Sequence, residues 1–334
     1  MKKVIITGIS GQVGSYMSEY CLNLGYKVWG VVRRTSRLNT ENFKHLIENE
    51  NLCILYADLT DGGSIEEVVK TVLPDYFINL AAQSFVGVSW KIPEETFNVD
   101  AMGVIRCLES IRKTVPNCRF YNAGSSEQFG NVDYSPQDET HPFKPRSPYG
   151  AAKCAAHHII KVYRESYGLY ACSGILFNHE SPRRGHNFVT RKITIALGNI
   201  VKGKQDKLVL GNLNSLRDWG HARDYVEGMY LMLQQENPDD YVLSTNEYHS
   251  VREFIEIAFG IKGYNIKWKN TGLNEIGYDE STGKELIFIS DKYFRLAEVD
   301  ELLGDSTKAR TCLGWAPKCD FKDLVKEMVD ADCV

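Results

Sequence analysis

The sequence predicts an α/β protein with a doubly wound parallel sheet and a second, smaller mixed α/β lobe. Short apolar segments rich in β-branched residues alternate with longer segments of helical period from residue 2 to residue 177. The first apolar segment, KKVIIT, ends at a glycine-rich turn that leads into a helical pattern. After about residue 178 the alternation loosens, which predicts the second lobe.

Strands that are apolar on both faces and joined by helices are typical of a parallel sheet covered by helices on both sides. The candidates are KKVIIT (2–7), KVWGVV (27–32), LCILYA (52–57), YFINLA (76–81), RFYNAG (119–124) and YACSGILF (170–177). Between the fourth and fifth of them, residues 97–113 carry a helical pattern. These elements together predict a Rossmann-type domain.

The second lobe is predicted from weaker signals. The pattern predicts a helix near 188–203 and short strands near 207–210, 265–268 and 286–289. We expect the Rossmann-type domain to span residues 1–177 and to receive segments near 219–246 and 293–302. Residues 178–334 then form mainly the second lobe, with a cleft between the two.

Composition excludes several classes of protein. The 334 residues carry a formal net charge of −4, so no broad basic field is available for nucleic acid or an anionic membrane. The nine cysteines form no CxxC pair, which favours reduced thiols and predicts no metal site. No apolar run reaches about 18 residues and no leader of signal-peptide form precedes the first strand, so we expect a cytoplasmic protein.

The turn after the first strand has the glycine pattern of a dinucleotide-binding loop. Gly8, Gly11 and Gly14 lie where missing side chains let a pyrophosphate approach the backbone and the helix N-terminus. We expect Gln12 and Val13 to contact the cofactor as well. The alternative is a tight turn without a ligand, but the preceding strand and the following amphipathic helix favour a dinucleotide.

The end of the second strand predicts which dinucleotide binds. An NAD site carries an acid here for the ribose 2′-hydroxyl, whereas VVRRTSR supplies Arg33 and Arg34. Guanidinium groups bind a 2′-phosphate, so we predict NADP; the alternative is that these arginines only solvate a loop. Further cofactor contacts are expected after the third and fourth strands, from Asp58, Leu59, Leu80, Ala81, Ala82 and Ser84.

Tyr149 and Lys153, in SPYGAAK, are four residues apart, so a helix places both on one face. The Gly and Ala residues between them are expected to leave room for a flat ring. A free phenol has a pKa of about 10; nearby cations lower it and burial raises it, so the cations must outweigh burial for Tyr149 to act as a base. The alternative is a chance pair on an exposed helix.

Ser125, Ser126 and Glu127 follow the fifth strand, at the sheet edge where ligands bind in this fold class. The Ser125 hydroxyl can hold the substrate oxygen that Tyr149 deprotonates. Glu127 is surplus to a simple alcohol oxidation, because a second acid or base allows proton abstraction beside a new carbonyl and loss of water. The alternative for Glu127 is a solvated or capping carboxylate.

Longer segments resemble one branch of the extended short-chain dehydrogenase/reductases, the GDP-mannose 4,6-dehydratase family. They are ESYGLYACSGILFNHESPRRGHNFVTRKI (165–193), GNLNSLRDWGH (211–221), AEVDELLGDSTKA (297–309) and LGW (313–315), and the resemblance covers about residues 2–330. It implies an NADP-dependent lyase that oxidises C4 of GDP-mannose, eliminates water across C5 and C6, and returns hydride to C6. The expected product is GDP-4-keto-6-deoxy-mannose.

The resemblance also implies roles for single residues. Ser125, Glu127, Tyr149 and Lys153 match catalytic positions, while His179 and Arg184 match cofactor positions. The expected GDP-sugar contacts are Ser84, Ser126, Glu127, Asn178, Lys192, Arg217, Arg295 and Glu298. Ser126 stands where related dehydratases carry an acid, so Glu127 is expected to serve as both base and acid.

Departures from the family's pattern keep several substrates and activities open. Gln128 and Phe129 stand where the family usually has Leu and Tyr, Leu296 replaces Pro, Val13 replaces Asp and Glu95 replaces Tyr. Three of these lie near expected sugar or nucleotide contacts, so a GDP-manno-heptose is the near alternative substrate. The residues are also compatible with a GDP-sugar epimerase or 4-reductase, and with a non-enzymatic NADP-binding protein. The resemblance implies that the basic loop 33–39 reaches a neighbouring subunit, in a homo-oligomer that is a dimer or tetramer.

Overall fold

The structure, a computed structural model, describes residues 1–293 and 301–334. The predicted site residues Arg295 and Glu298, and the departure at Leu296, lie outside the described residues. Strands and helices alternate along the first half of the chain. They are β1 (Lys3–Thr7), α1 (Gln12–Asn23), β2 (Lys27–Val32), β3 (Leu52–Tyr56), α2 (Gly62–Val72), β4 (Tyr76–Asn79), α3 (Val86–Ser89), α4 (Pro93–Phe97), α5 (Gly103–Thr114), β5 (Arg119–Ala123), α6 (Pro148–Tyr167) and β6 (Ala171–Leu176).

The second half has shorter strands. Its elements are β7 (Asn178–Glu180), α7 (Val189–Val201), β8 (Leu208–Leu210), β9 (Leu216–Arg217), β10 (Trp219–His221), α8 (Ala222–Met232), β11 (Tyr241–Leu243), β12 (His249–Ser250), α9 (Val251–Ile261), β13 (Ile266–Lys269), β14 (Ile276–Asp279), β15 (Glu285–Ile289), β16 (Glu301–Leu302) and α10 (Phe321–Asp332). Within the described ranges, none of the helices is long and apolar enough to cross a bilayer.

Seven strands form one parallel sheet in the order β11-β6-β5-β4-β1-β2-β3. This order confirms the predicted doubly wound α/β fold. The chain runs outward from β1 in both directions, to β2 on one side and to β4 on the other. In sheets of this kind ligands bind outside the carboxyl ends of the strands where the order reverses, which here means the ends of β1 and β4.

Alternation of side chains along the strands builds a separate apolar layer on each face of the sheet. On one face Val4, Ile6 and Tyr121 pack with residues of α1 and α8. On the other face Ile5 and Phe120 pack with residues of α2, α5 and α6. The sheet is therefore covered on both sides, and its carboxyl edge is left for a ligand.

The smaller lobe has a core of its own. Strands β13, β14, β15 and β8 form a four-stranded mixed sheet, against which α7, α9 and α10 pack. Two small sheets, β10 with β7 and β12-β9-β16, carry Asn178, His179 and Arg217. These short strands place residues of the second half of the chain beside the carboxyl edge of the main sheet.

Candidate active site

The turn between β1 and α1 requires glycine at two positions. Gly8 has a φ of +73°, and a Cβ on it would lie 2.9 Å from the backbone nitrogen of Ala81. A Cβ on Gly14 would lie 2.2 Å from the carbonyl oxygen of Gly8. The absent side chains let the turn close tightly onto the loop after β4, and they leave backbone N–H groups at the start of α1 available to a phosphate.

A groove of about 540 Å³ lies along the carboxyl ends of β1, β2, β3 and β4. Its lining includes many of the predicted cofactor residues, namely Gly8, Gly11, Arg33, Asp58, Leu59, Leu80, Ala81, Ala82 and Ser84. Thr7, Ser10, Gln83, Phe85 and Glu95 also line it. The glycine cradle and the length of this groove fit a dinucleotide.

Eight predicted cofactor residues are not part of the groove lining: Tyr149, Lys153, His179 and Arg184, which are described below, and Gln12, Val13, Gly14 and Arg34. The Gln12 amide is engaged inside the protein, where it donates to the carbonyl of His179 at 2.9 Å. Val13 packs against the core, and Gly14 serves the tight turn. Arg34 is exposed, and its guanidinium carbon lies 5.9 Å from the ring centre of Tyr56. Of the two arginines predicted to hold a 2′-phosphate, Arg33 is thus the one that lines the groove.

Helix α6 begins at an N-capping serine followed by proline, and it carries the predicted pair Tyr149 and Lys153. The Ser147 hydroxyl accepts a hydrogen bond from the Gly150 N–H at 3.0 Å, and Pro148 opens the first turn. Tyr149 and Lys153 are 8% and 4% exposed. A Cβ on Gly150 would lie 2.6 Å from the carbonyl oxygen of Glu127. This glycine therefore admits the Glu127 backbone, whereas the sequence pattern predicted that it makes room for a flat ring.

The charges of Tyr149 and Lys153 depend on burial and on their neighbours. The Lys153 ammonium donates to the carbonyl of Ala123 at 2.9 Å and lies 5.7 Å from the Tyr149 ring centre. Burial lowers the pKa of Lys153. Burial, followed by the negative charge of Asp100, raises the pKa of Tyr149, while a hydrogen bond with Ser125 and the charge of Arg184 lower that pKa. In the protein without a ligand, the effect of burial on the Tyr149 pKa outweighs the effect of the nearby positive charge.

Glu127 lies on a short 3-10 turn, Ser126–Gln128, which Ser125 caps in a capping box. The Ser125 N–H donates to the amide oxygen of Gln128 at 2.8 Å, and the Glu127 N–H donates to the Ser125 hydroxyl at 3.2 Å. Ser126 and Gln128 are buried, and Phe129 packs into an internal aromatic cluster. Gln128 and Phe129, expected near sugar or nucleotide contacts, follow Glu127 directly and have side chains that are enclosed by protein.

The segment after β6 brings His179 and Arg184 to the same edge of the sheet. The His179 ring is stacked on Tyr225 with centres 5.0 Å apart, and its Nδ1 lies 2.9 Å from the carbonyl of Phe177. Burial, with the charge of Arg184, lowers the pKa of His179 to about 4, so the ring is neutral at neutral pH. The Arg184 guanidinium forms an ion pair with buried Glu180 at 3.1 Å.

Two predicted GDP-sugar residues lie farther into the smaller lobe. The Lys192 ammonium lies 3.5 Å from the ring centre of Tyr293, and burial lowers its pKa. Arg217 is buried in β9, between β12 and β16. Asn178 is half-buried at the start of β7, and Ser84 lines the groove at the end of β4.

Comparison with known proteins assigns the family. The sequence model described as GDP-mannose 4,6 dehydratase matches residues 5–328. GDP-mannose 4,6 dehydratase 2 of Arabidopsis thaliana is 52% identical over 99% of this chain and 87% of its own length. The chain belongs to the GDP-mannose 4,6-dehydratase family.

Solved structures agree on the fold of this member of the GDP-mannose 4,6-dehydratase family. A dTDP-glucose 4,6-dehydratase from Streptomyces venezuelae, solved with NAD, superposes with a TM-score of 0.83 at 20% identity, covering 98% of this chain and 96% of that one. A protein named RMD from Pseudomonas aeruginosa, complexed with NADPH, gives a TM-score of 0.77 at 19% identity, covering 100% of this chain and 99% of that one.

In this chain of the GDP-mannose 4,6-dehydratase family, sequence reasoning missed two residues beside the site. Asp100 is buried next to the loop after β4, and its charge acts on both Tyr149 and Lys153. Gln128 caps the turn that carries Ser125 and Glu127. A capping-box spacing, Ser125 followed three residues later by Gln128, was a readable signal for the second residue. Asp100 lies within a helical pattern, where nothing in the spacing marks it.

Proposed function

We propose that this chain is an NADP-dependent GDP-mannose 4,6-dehydratase. The observation that carries the proposal is the placement of Glu127 against the helix that holds Tyr149 and Lys153. The Glu127 backbone carbonyl packs onto Gly150, the residue after Tyr149, and the Glu127 charge raises the pKa of the Tyr149 phenol. An alcohol dehydrogenation alone needs no such carboxylate, whereas elimination of water from a ketone does.

The groove supports a nicotinamide dinucleotide as cofactor. The backbone at Gly8, Gly11 and Gly14 would hold the pyrophosphate, and Arg33 and Arg34 would hold a 2′-phosphate. The names of the two structural neighbours support this cofactor class, since one was solved with NAD and the other with NADPH. The arginines favour NADP over NAD. When bound, NADP supplies the acceptor of the C4 hydride and the donor of the hydride returned to C6.

The proposed steps assign a role to each of the four catalytic side chains. The Ser125 hydroxyl holds the C4 oxygen while Tyr149 removes its proton, and the Lys153 ammonium favours the phenolate. The resulting C4 ketone acidifies the C5 proton. Glu127 removes that proton and donates it to the departing C6 hydroxyl, which leaves as water. When hydride returns to C6, C5 takes a proton from the solvent, and Tyr149 releases to the solvent the proton that it took from the C4 hydroxyl. Because no second acid stands at Ser126, the same carboxylate acts in both halves of the elimination.

The smaller lobe is proposed to hold the GDP moiety. Lys192 and Arg217 suit the diphosphate, and Glu298, outside the described residues with Arg295, suits the N1 and N2 donors of guanine. Ser84, Ser126 and Asn178 are proposed sugar or ribose contacts. In this division residues 1–177, with segments near 219–246 and 293–302, bind NADP, and residues 178–334 mainly bind the GDP-sugar.

Two further properties are proposed. The exposed arginines of loop 33–39 support a homo-oligomer, a dimer or tetramer, in which this loop reaches a neighbouring cofactor.

The nine cysteines are all unpaired among the described residues, which supports a reducing, cytoplasmic location.

The test is an incubation of the enzyme with GDP-mannose and NADP in deuterated water. We expect a GDP-4-keto-6-deoxy sugar that carries deuterium at C5, because the original C5 proton leaves with the C6 hydroxyl as water and C5 is reprotonated from the solvent when hydride returns to C6. A parallel incubation with GDP-manno-heptose compares the two substrates. Inversion at C4 without a 4-keto product would identify an epimerase instead, and the absence of any 4-keto product from both sugars would defeat the proposal.

A further inference from the structure

Asp100 lies in a π-helical turn, Asn98–Met102, between α4 and α5. It is 1% exposed. Its Oδ1 accepts a hydrogen bond from the backbone N–H of Gln83 at 2.8 Å. Gln83 lines the groove that fits the dinucleotide. One oxygen of this carboxylate therefore holds a loop of the cofactor groove in place.

The second oxygen of the Asp100 carboxylate has no role in the hydrogen bonds that hold the fold together. Oδ2 is buried and has no hydrogen-bond partner within the described part of the chain. A buried carboxylate oxygen without a donor is costly unless a positive charge compensates it. The turn that carries Asp100 packs against α6, the helix that carries Lys153, and the Asp100 charge raises the pKa of Lys153.

The Lys153 ammonium, in turn, needs a nearby negative charge. Its ammonium is buried and donates to the Ala123 carbonyl, which carries no net charge. A buried ammonium loses its proton unless an anion stabilises it. Two effects act on the Lys153 pKa, burial lowering it and Asp100 raising it. The Asp100 carboxylate thus supplies the negative charge that the Lys153 ammonium needs, and the ammonium supplies the positive charge that the carboxylate needs.

The other groups around this pair act on the phenol. Tyr149 is influenced by Glu127 from the capped turn, by Arg184 from the segment after β7, and by Ser125 through a hydrogen bond. Asp100 acts on Tyr149 as well, in the opposite sense to Arg184. Its charge therefore reaches both members of the proton-transfer pair.

We infer that Asp100 is the counter-charge of Lys153 and a positioning residue for the proton-transfer pair, with one oxygen anchoring the Gln83 loop and the other, which has no hydrogen-bond partner among the described residues, lying on the turn that packs against α6. This inference rests on the proposed roles of Tyr149 and Lys153. It predicts that the Lys153 side chain stays protonated in the active protein because of a carboxylate 53 positions earlier in the sequence. It also predicts that loss of the negative charge makes the phenolate easier to form.

The test compares Asp100→Asn with the unchanged chain. The amide keeps an oxygen for the Gln83 N–H and removes only the charge. The Lys153 titration is followed by NMR on protein labelled at lysine Cε, without cofactor, and the resonance is assigned by its loss in Lys153→Arg. We expect the titration midpoint to fall by about one pH unit in Asp100→Asn.

A second readout is the pH profile of the first hydride transfer in single turnovers with GDP-mannose and NADP. Both limbs should move to lower pH by about one unit, because loss of the negative charge lowers the pKa of Tyr149 and of Lys153 together. If Asp100 only supported the structure, Asp100→Asn would change the rate of hydride transfer by the same factor at every pH. Asp279→Asn is the matched control, since Asp279 is also buried but is bonded to Ser281 and Thr282 in the smaller lobe.

A Lys153 midpoint that is unchanged in Asp100→Asn, or one that moves equally in Asp279→Asn, would overturn the inference. If Asp100→Asn does not fold, Asp100→Ser keeps an acceptor near Gln83 without the charge and is read in the same way. An unchanged chain that forms no 4-keto product from GDP-mannose or GDP-manno-heptose defeats the proposed function, whereas the NMR titration still decides the role of Asp100.

Discussion

Gln12 Nε2 donates a hydrogen bond to the backbone carbonyl of His179 at 2.9 Å, across 167 positions of sequence. The same amide accepts a hydrogen bond from the Ser181 hydroxyl at 2.7 Å through its oxygen. One side chain of the glycine-rich turn thereby fixes the segment that carries His179. The His179 ring is consequently held against Tyr225 in a half-buried position, and desolvation there lowers its pKa to about 4.

This burial predicts a pH dependence of folding stability. The His179 pKa is about 4 in the folded protein and is ordinarily 6.5, so between these values the unfolded chain binds more protons. Stability is fully present above about pH 6.5 and falls as the pH drops toward 4. By pH 5 we expect a loss of about 2 kcal/mol in the free energy of unfolding from this residue.

The measurement is urea unfolding from pH 8 to pH 5 for the unchanged chain and for His179→Gln. The difference at pH 8 reports packing alone. The slope of the unfolding free energy between pH 7 and pH 5 should be shallower in His179→Gln; equal slopes would contradict the assignment of a neutral, half-buried imidazole.

The glycine turn predicts an asymmetric outcome for two Gly→Ala changes. In Gly14→Ala the new methyl group would lie 2.2 Å from the Gly8 carbonyl oxygen, so the turn must open. We expect about 3 kcal/mol of lost stability and loss of NADP binding, measured by denaturant unfolding and titration calorimetry. Gly260→Ala, in α9 with nothing within 4 Å of the added Cβ, is the control and should gain about 0.5–1 kcal/mol. Tolerance of Gly14→Ala would contradict the packing argument.

Glu127→Gln separates oxidation from elimination. The amide keeps the shape of the capped turn but cannot accept the C5 proton. We expect single-turnover formation of NADPH to persist within about tenfold, while formation of the 4-keto-6-deoxy product falls by about 10²- to 10⁴-fold. Glu165→Gln, exposed on the same α6 helix as Tyr149, should leave both rates unchanged. Intact product formation in Glu127→Gln would favour an epimerase or 4-reductase.

The two arginines after β2 predict the choice of dinucleotide. Replacing Arg33 and Arg34 together by Ala removes charged donors to a 2′-phosphate. The Kd for NADP should rise by about 10- to 100-fold while the Kd for NAD stays unchanged, as measured by fluorescence titration. Lys204→Ala, an exposed cation after α7, is the charge-matched control. A parallel loss of affinity for both dinucleotides would show that the arginines only support the loop.

Much of this fold was predictable because its signals are local. The strand and helix alternation, the glycine spacing and the Tyr149 and Lys153 pair each depend on residues within one turn or one element. The bounds of β1, β2 and α7 differ from the sequence prediction by no more than one or two residues. β11 completes the main sheet with only three residues, Tyr241–Leu243, too few to show a period in the sequence.

The directions in which side chains point were harder to predict from the sequence. Gln128 and Phe129 follow Glu127 directly, yet both are turned inward by the capped turn and the aromatic cluster. Gly150 was expected to serve a ligand and instead accepts the Glu127 carbonyl. These outcomes depend on which segments meet at the carboxyl edge of the sheet.

The sequence by itself determined the fold class, the cofactor turn and the residue types that can perform acid and base chemistry, since these follow from short-range spacing and from the chemistry of single side chains. Only the tertiary structure decided that Asp100 acts on the phenol and ammonium, that Gln12 holds His179, and that burial governs the protonation of Tyr149. The physical reason is that charge and desolvation act through distance in space, and residues far apart in the chain reach that distance only after the sheet has formed.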